Sequence, residues 1–148
     1  MAGNPKSILN ELIETSKDGE KGFSKAAEET TEPDLKIMFR EGAERCRSAA
    51  RELQDKVAAL GGTPEKGGSM MGAVHRGWVN LKSATTGRDT AAILEEVERG
   101  EDYAKGRYAD ALKEELPADA YELVQRQYQG VLANHDRVRE LRNQYRAR

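Results

Sequence analysis

Residues 61–88 read GGTPEKGGSMMGAVHRGWVNLKSATTGR, and this glycine-rich stretch decides how the rest of the chain folds. It holds seven of the 14 glycines and separates two long segments of different character. Both segments are rich in Glu, Lys, Arg, Ala and Leu, a composition that favours helix. Neither alternates β-branched with polar residues as a strand does, so we predict an all-α protein without strands.

Prolines and glycines mark the ends of the predicted helices, because the residue before proline avoids helical dihedral angles and glycine often follows a last turn. Within each segment apolar residues recur at the spacing of one helix face. The predicted helices cover residues 7–30, 34–60, 89–116 and 118–145. Ser7 and Asp34 are the predicted N-caps of the first two helices. The inward face of the fourth helix is predicted to carry Tyr121, Val124, Tyr128, Val131, His135, Val138 and Tyr145.

The connection between the second and third helices indicates the topology. Residues 61–88 form a longer connection than a simple turn between neighbouring helices needs. They are enough to run the length of a bundle whose helices are about 40 Å long. A short amphipathic helix is predicted inside this connection, at residues 70–84. Its apolar side carries Met70, Met71, Val74, Trp78 and Leu81. We therefore predict one ferritin-like four-helix bundle over residues 1–148, with a long crossover and parallel second and third helices. An up-down bundle with a flexible loop is the alternative.

Composition excludes several classes of protein. The 24 basic and 26 acidic residues give a net charge of −2, without the basic excess that nucleic-acid binding requires. A mean hydropathy of −0.81 excludes a membrane span, and the N-terminus has no apolar signal core, so we expect a cytoplasmic protein. Cys46, the single cysteine, cannot form an internal disulfide and is expected to pack as a small core residue.

Ferritin-like bundles can hold two metal ions at mid-bundle, using a Glu from each of two helices and a Glu-x-x-His motif from each of the others. Glu101 and His135 lie near the centres of their apolar faces, and antiparallel register places them opposite each other. Glu20 lies near the edge of its face at a similar height. Because no Glu-x-x-His motif occurs on the second or fourth helix, an intact two-metal site is not predicted.

Two interpretations of these residues stay open. In the first, Glu101 and His135 form a buried hydrogen-bonded pair that fixes helix register, and the protein has no cofactor. In the second, Glu20, Glu101 and His135 hold a single divalent metal ion. His75, at the flank of the short crossover helix, is a weaker candidate ligand.

Several short motifs resemble those of a bacterial family of ferritin-like four-helix-bundle proteins known as a domain of unknown function. The resemblance extends over residues 8–142. It implies the ferritin-like fold, carries no known reaction, and implies a stress-associated role by analogy with related bundles. The motifs are DGEKGF at 18–23, HRGW at 75–78, GED at 100–102 and HD at 135–136.

We therefore expect a non-enzymatic protein that acts by association with itself or with a protein partner. Met70, Met71 and Trp78 present more apolar surface than one groove of a bundle covers, which predicts a homodimer. The alternative is a metal-binding redox protein of the ferritin or rubrerythrin kind, using iron, manganese or zinc. Neither a nucleic acid nor a membrane is an expected partner.

Overall fold

The computed structural model describes residues 4–67 and 87–147, which form four α-helices and no strand. The helices are α1 (Pro5–Glu29), α2 (Pro33–Ala59), α3 (Gly87–Ala111) and α4 (Ala118–Arg146). The prediction of an all-α chain with four helices is confirmed for this part of the sequence. The short helix predicted at residues 70–84 lies outside the described residues.

The first two helices begin earlier than predicted, each with a proline as its first residue. The Asn4 side chain accepts a hydrogen bond from the Lys6 backbone N–H at 2.8 Å, so Asn4 is the N-cap of α1. The prediction of Ser7 as this cap is wrong, because Asn4 already satisfies the first turn and proline suits the next position. Asp34 lies inside the first turn of α2 rather than at its cap, where its charge complements the helix dipole.

The α2 helix ends at the glycine pair that opens the long connection. Gly61 adopts a φ of +82°, a left-handed conformation that glycine takes without steric cost. The Gly62 N–H then donates to the Val57 carbonyl at 2.9 Å, and the Gly61 N–H donates to the Ala58 carbonyl at 3.0 Å. These two bonds form a Schellman motif, which satisfies the last carbonyls of the helix.

The α3 helix ends at Ala111, five residues before the predicted end at residue 116. Beyond it the hydrogen bonds tighten to three-residue spacing, from Lys113 N–H to Asp110 and from Glu114 N–H to Ala111, each 3.1 Å. Such bonds close the last turn of a helix and satisfy its free carbonyls. Proline at position 117 therefore follows a short non-helical segment rather than the helix itself.

The core divides into two clusters, one toward each end of the bundle. Both clusters take residues from all four helices. The Phe23 cluster contains Phe23, Ala26, Ala27, Leu35, Met38, Phe39, Ala43, Ile93, Leu94, Val97 and Val138. The Leu9 cluster contains Ile8, Leu9, Leu12, Ile13, Leu53, Val57, Tyr108, Ala111, Ala120, Leu123 and Val124.

The membership of these clusters fixes the directions of the helices. The Phe23 cluster takes the carboxyl-terminal part of α1, the amino-terminal parts of α2 and α3, and the carboxyl-terminal part of α4. The Leu9 cluster takes the opposite part of each helix. Consequently α2 and α3 run in the same direction, as the length of their connection predicts, and α1 and α4 run against them.

The inward face of α4 differs from the predicted one at its first turns. Tyr121, predicted to face inward, is 38% exposed, whereas Ala120 and Val124 are fully buried. The prediction followed a seven-residue spacing toward His135, and in a straight helix this spacing drifts by about 20° per heptad. Over two heptads the drift moves Tyr121 to the edge of the face.

Candidate functional site

A layer of polar side chains crosses the bundle between the two clusters. Tyr108 of α3 donates a hydrogen bond from its hydroxyl to Gln127 Oε1 of α4 at 2.7 Å, and Ser16 Oγ of α1 lies 3.4 Å from the same hydroxyl. Gln127 Nε2 in turn donates to the Ala49 carbonyl of α2 at 3.2 Å and to Glu52 Oε1 at 3.3 Å. One connected network therefore joins all four helices at mid-bundle.

Next to this network lies a cavity of about 280 Å³, which we call the mid-bundle cavity. All four helices contribute to its walls, and glycine, alanine or serine at six positions leaves the space open. These small lining residues are Ser16, Gly19, Ser48, Ala49, Ala104 and Gly130. Phe23 of one cluster and Tyr108 of the other border the same space. The cavity thus lies where the two halves of the core meet.

Glu101 lines this cavity and is only 3% exposed. Its Oε2 accepts a hydrogen bond of 2.6 Å from Asn134 Nδ2, while its Oε1 has no hydrogen-bond partner among the described residues. Burial raises the pKa of the carboxyl from 4.5 to about 7, against the opposing effects of the Asn134 hydrogen bond and the positive charge of Arg45. The carboxylates of Asp102 and Glu98 add to the rise in pKa.

Two side chains of α2, those of Arg45 and Cys46, also line the cavity. The Arg45 guanidinium lies 5.8 Å from the centre of the Phe23 ring and forms no ion pair with the residues that the structure describes. Cys46 lines the same wall, and burial raises the pKa of its thiol to about 12. The thiol is therefore protonated at neutral pH, and a protonated thiol is neither a good nucleophile nor a metal ligand.

His135 is buried but binds a different carboxylate from the predicted one. Its Nε2 hydrogen-bonds Asp102 Oδ1, and its Nδ1 lies 3.7 Å from Asp136 Oδ1 without forming a hydrogen bond. The expected hydrogen bond between Glu101 and His135 is not formed, and Glu101 is bound by Asn134 instead. The predicted register of α3 and α4 is close, but each partner is shifted by one residue along its helix.

Glu20 lies at the surface between α1 and α2. Its carboxylate accepts a hydrogen bond of 2.9 Å from Arg47 Nε and lies 3.6 Å from Lys17 Nζ. Of the three predicted metal ligands, only Glu101 lines the mid-bundle cavity. No three His, Cys, Asp or Glu side chains are grouped to hold a metal ion within residues 4–67 and 87–147. His75 lies outside these residues.

Comparison with known proteins places the chain in a family. No curated protein matches it. None of the four described helices combines the length and the apolar character needed to cross a membrane. A family model described as a domain of unknown function (DUF2383) matches residues 5–114, which include α1, α2, α3 and Glu101 but end before Asn134 and His135. Because this match covers well over half of the sequence, the chain belongs to the DUF2383 family.

Proposed function

We propose that this protein is a non-enzymatic, ferritin-like bundle that binds a small, largely apolar molecule in the mid-bundle cavity. One observation carries the proposal: a cavity of about 280 Å³ with mostly apolar walls lies at mid-bundle and is bordered by the buried Glu101 side chain. Its apolar lining favours an apolar molecule over water.

The size and walls of the cavity support the same function. A volume of about 280 Å³ lies just below the range of about 300–1,000 Å³ typical of small-molecule sites. It is nearly twice the roughly 150 Å³ of an engineered apolar cavity that takes benzene. Such sites combine apolar walls with a few polar groups that orient the ligand, and here Glu101 and Arg45 are polar groups of this kind.

The direction of the helices supports the ferritin-like part of the proposal. Parallel α2 and α3 require one long crossover, which is the feature that separates ferritin-like bundles from up-down bundles. Bundles of this kind build their cofactor and ligand sites in the core, from side chains on facing helices. The mid-bundle cavity takes its lining from all four helices in the same way. Binding of a single metal ion by Glu20, Glu101 and His135 has no comparable support.

Filling the cavity tests this proposal. Ala104 lines the cavity from α3, and in Ala104→Leu the larger side chain occupies the space that a ligand would take. Ala92→Leu is a matched control, because Ala92 is an exposed alanine of the same helix. Titration with 1-hexanol, followed by ¹H–¹⁵N NMR, should show saturable shifts around the cavity in the wild type and in Ala92→Leu.

The Ala104→Leu variant should keep a dispersed spectrum, which reports the folded bundle, and should lose the saturable shifts. Shifts of the same size and saturation in Ala104→Leu would mean that hexanol binds elsewhere. Absence of saturation in the wild type up to roughly 10 mM would overturn the proposal, because it corresponds to a very weak interaction.

A further inference from the structure

The Arg45 side chain of α2 extends over the mid-bundle cavity toward α4. Its guanidinium lies 5.8 Å from the centre of the Phe23 ring, which belongs to the cavity wall. Its Cδ lies 3.8 Å from the point that a Cβ on Gly130 of α4 would occupy. The arginine stem therefore packs where α4 has no side chain, and the half-buried guanidinium lies at the cavity.

The Arg45 guanidinium has no anion at this position. It forms neither a hydrogen bond nor an ion pair with residues 4–67 and 87–147. The Phe23 ring offers its face to the positive charge but provides no hydrogen-bond acceptor. A guanidinium has five N–H donors and stays charged at neutral pH. An anion bound at the cavity would therefore form charge-assisted hydrogen bonds that the described part of the protein does not supply.

The other charged side chains of the cavity are already paired or enclosed. Arg126 forms an ion pair of 2.7 Å with Glu52, and because both are well exposed, at 63% and 41%, the cavity opens to solvent on this side. In Glu101, Oε2 is bonded to Asn134, and Oε1 is enclosed by protein and out of reach of a ligand. When it is ionised, Glu101 repels an anion from the interior and favours a head group beside Arg45.

Ser48 provides a second group that can bind the same anion. It follows Arg45 by three residues, a spacing that places both side chains on one face of α2, and both line the cavity. Ser48 is exposed, and its hydroxyl can donate a hydrogen bond. By contrast, Thr15 and Tyr108 are buried, and their hydroxyls donate to other groups of the protein. The polar end of a ligand is therefore expected at the outer side of the cavity.

On the basis of the proposed binding function, we infer that the ligand is a monocarboxylate with a short aliphatic chain, bound through its carboxylate by Arg45 and Ser48. A carboxylate can accept two parallel N–H bonds from a guanidinium and a further bond from a hydroxyl. An alcohol forms only weaker, uncharged bonds as an acceptor. An ammonium offers no acceptor and meets the positive charge of Arg45.

The apolar walls define the rest of the ligand. Phe23, Ala49, Ala104 and Val131 present apolar surface to the cavity. Because the volume is nearly twice that of a cavity that takes benzene, an aliphatic chain of roughly six carbons fits beside the head group. A second charged group on the ligand would have to lie against these apolar side chains, which is costly. The ligand therefore has a single charged end.

Three ligands with the same six-carbon chain test the inference: hexanoate, 1-hexanol and hexylamine. Each is titrated by ¹H–¹⁵N NMR at about pH 6, below the pKa of about 7 that burial gives Glu101, where hexanoate and hexylamine are both charged. In the wild type, hexanoate should bind roughly tenfold more tightly than hexanol, and hexylamine should bind most weakly. A preference for hexanoate over hexanol of less than about threefold would overturn the inference and leave the binding function intact. Failure of hexanol to bind is the separate outcome that overturns the binding function itself.

Variants of α2 provide the second readout. In Arg45→Gln, hexanoate should lose roughly tenfold in affinity, while hexanol binding should change by less than about twofold and so report an intact cavity. Arg45→Lys keeps the charge without the fork of donors and should retain part of the preference for hexanoate. Arg51→Gln is the matched control, because Arg51 is exposed on the same helix outside the cavity, and its affinities should equal those of the wild type. An equal effect of Arg45→Gln and Arg51→Gln on hexanoate would contradict the assignment of Arg45.

Discussion

Replacing Glu101 by glutamine removes an ionisable group from the middle of the bundle and keeps both the size of the side chain and the oxygen that Asn134 needs. Burial raises the pKa of this carboxyl from 4.5 to about 7 in the folded protein. The folded state therefore binds the proton more tightly than the unfolded chain does. The free energy of unfolding consequently falls as the pH rises between these two values.

The magnitude follows from the same pair of pKa values. The difference between 4.5 and about 7, at about 1.4 kcal/mol per pKa unit, corresponds to about 3 kcal/mol. The stabilisation that protonated Glu101 provides is complete below about pH 4.5 and is lost as the pH rises through about 7. Glutamine stays neutral throughout, so the stability of Glu101→Gln relative to the wild type should rise by about 3 kcal/mol from pH 4 to pH 8.

Urea denaturation at several pH values between 4 and 8 measures this difference, since other titrating groups contribute equally to both proteins and cancel. Glu41→Gln is the matched control, because Glu41 is an exposed carboxylate of α2. Its difference from the wild type should stay small and nearly constant. A Glu101→Gln difference that varies by less than about 0.5 kcal/mol over the same range would refute the conclusion that burial raises the pKa of Glu101 in the folded protein.

Other predictions concern packing, metal and association. A Cβ at Gly42 would lie 2.8 Å from the Phe23 ring, so Gly42→Ala should lower the free energy of unfolding by about 1–3 kcal/mol in urea denaturation. Gly106→Ala, where a Cβ meets no atom within 4 Å, should instead raise it by about 0.5–1 kcal/mol. Chelation with EDTA should leave the melting temperature unchanged, and a fall would favour the metal-binding alternative. Sedimentation should show the homodimer that Met70 and Trp78 predict, and a monomer at high micromolar concentration would count against it.

The helices could be predicted from the sequence because each carries an apolar face of helical period and begins or ends near a proline or glycine. The end of α3 could not, since the shift to three-residue hydrogen bonds after Ala111 leaves no mark in the hydrophobic pattern. The predicted cap of α1, Ser7, differs from the observed cap, although Asn4 before Pro5 is the stronger signal for a helix start. That signal was present in the sequence.

The candidate site was predicted in part. Burial of Glu101 and His135 follows from their positions on apolar faces, and both are 3% exposed. Their hydrogen-bond partners could not be predicted from the sequence. Neighbouring helix positions differ by about 100°, and the antiparallel register of α3 and α4, predicted only to within one residue, does not distinguish Asn134 from His135. The cavity itself was missed. Its signal in the sequence is the set of small residues that lie at the same level on all four helices.

The connections between the helices have a consequence for the order of folding. Only residues 30–32 join α1 to α2, and residues 112–117 join α3 to α4, so each hairpin closes a short loop. Docking of the two hairpins must close the much longer connection, which makes it the slower step. Ser16 and Ala49 belong to the first hairpin, whereas Ala104 and Gly130 belong to the second. The cavity therefore exists only after docking, and a ligand that occupies it pulls the final assembly step toward completion by mass action.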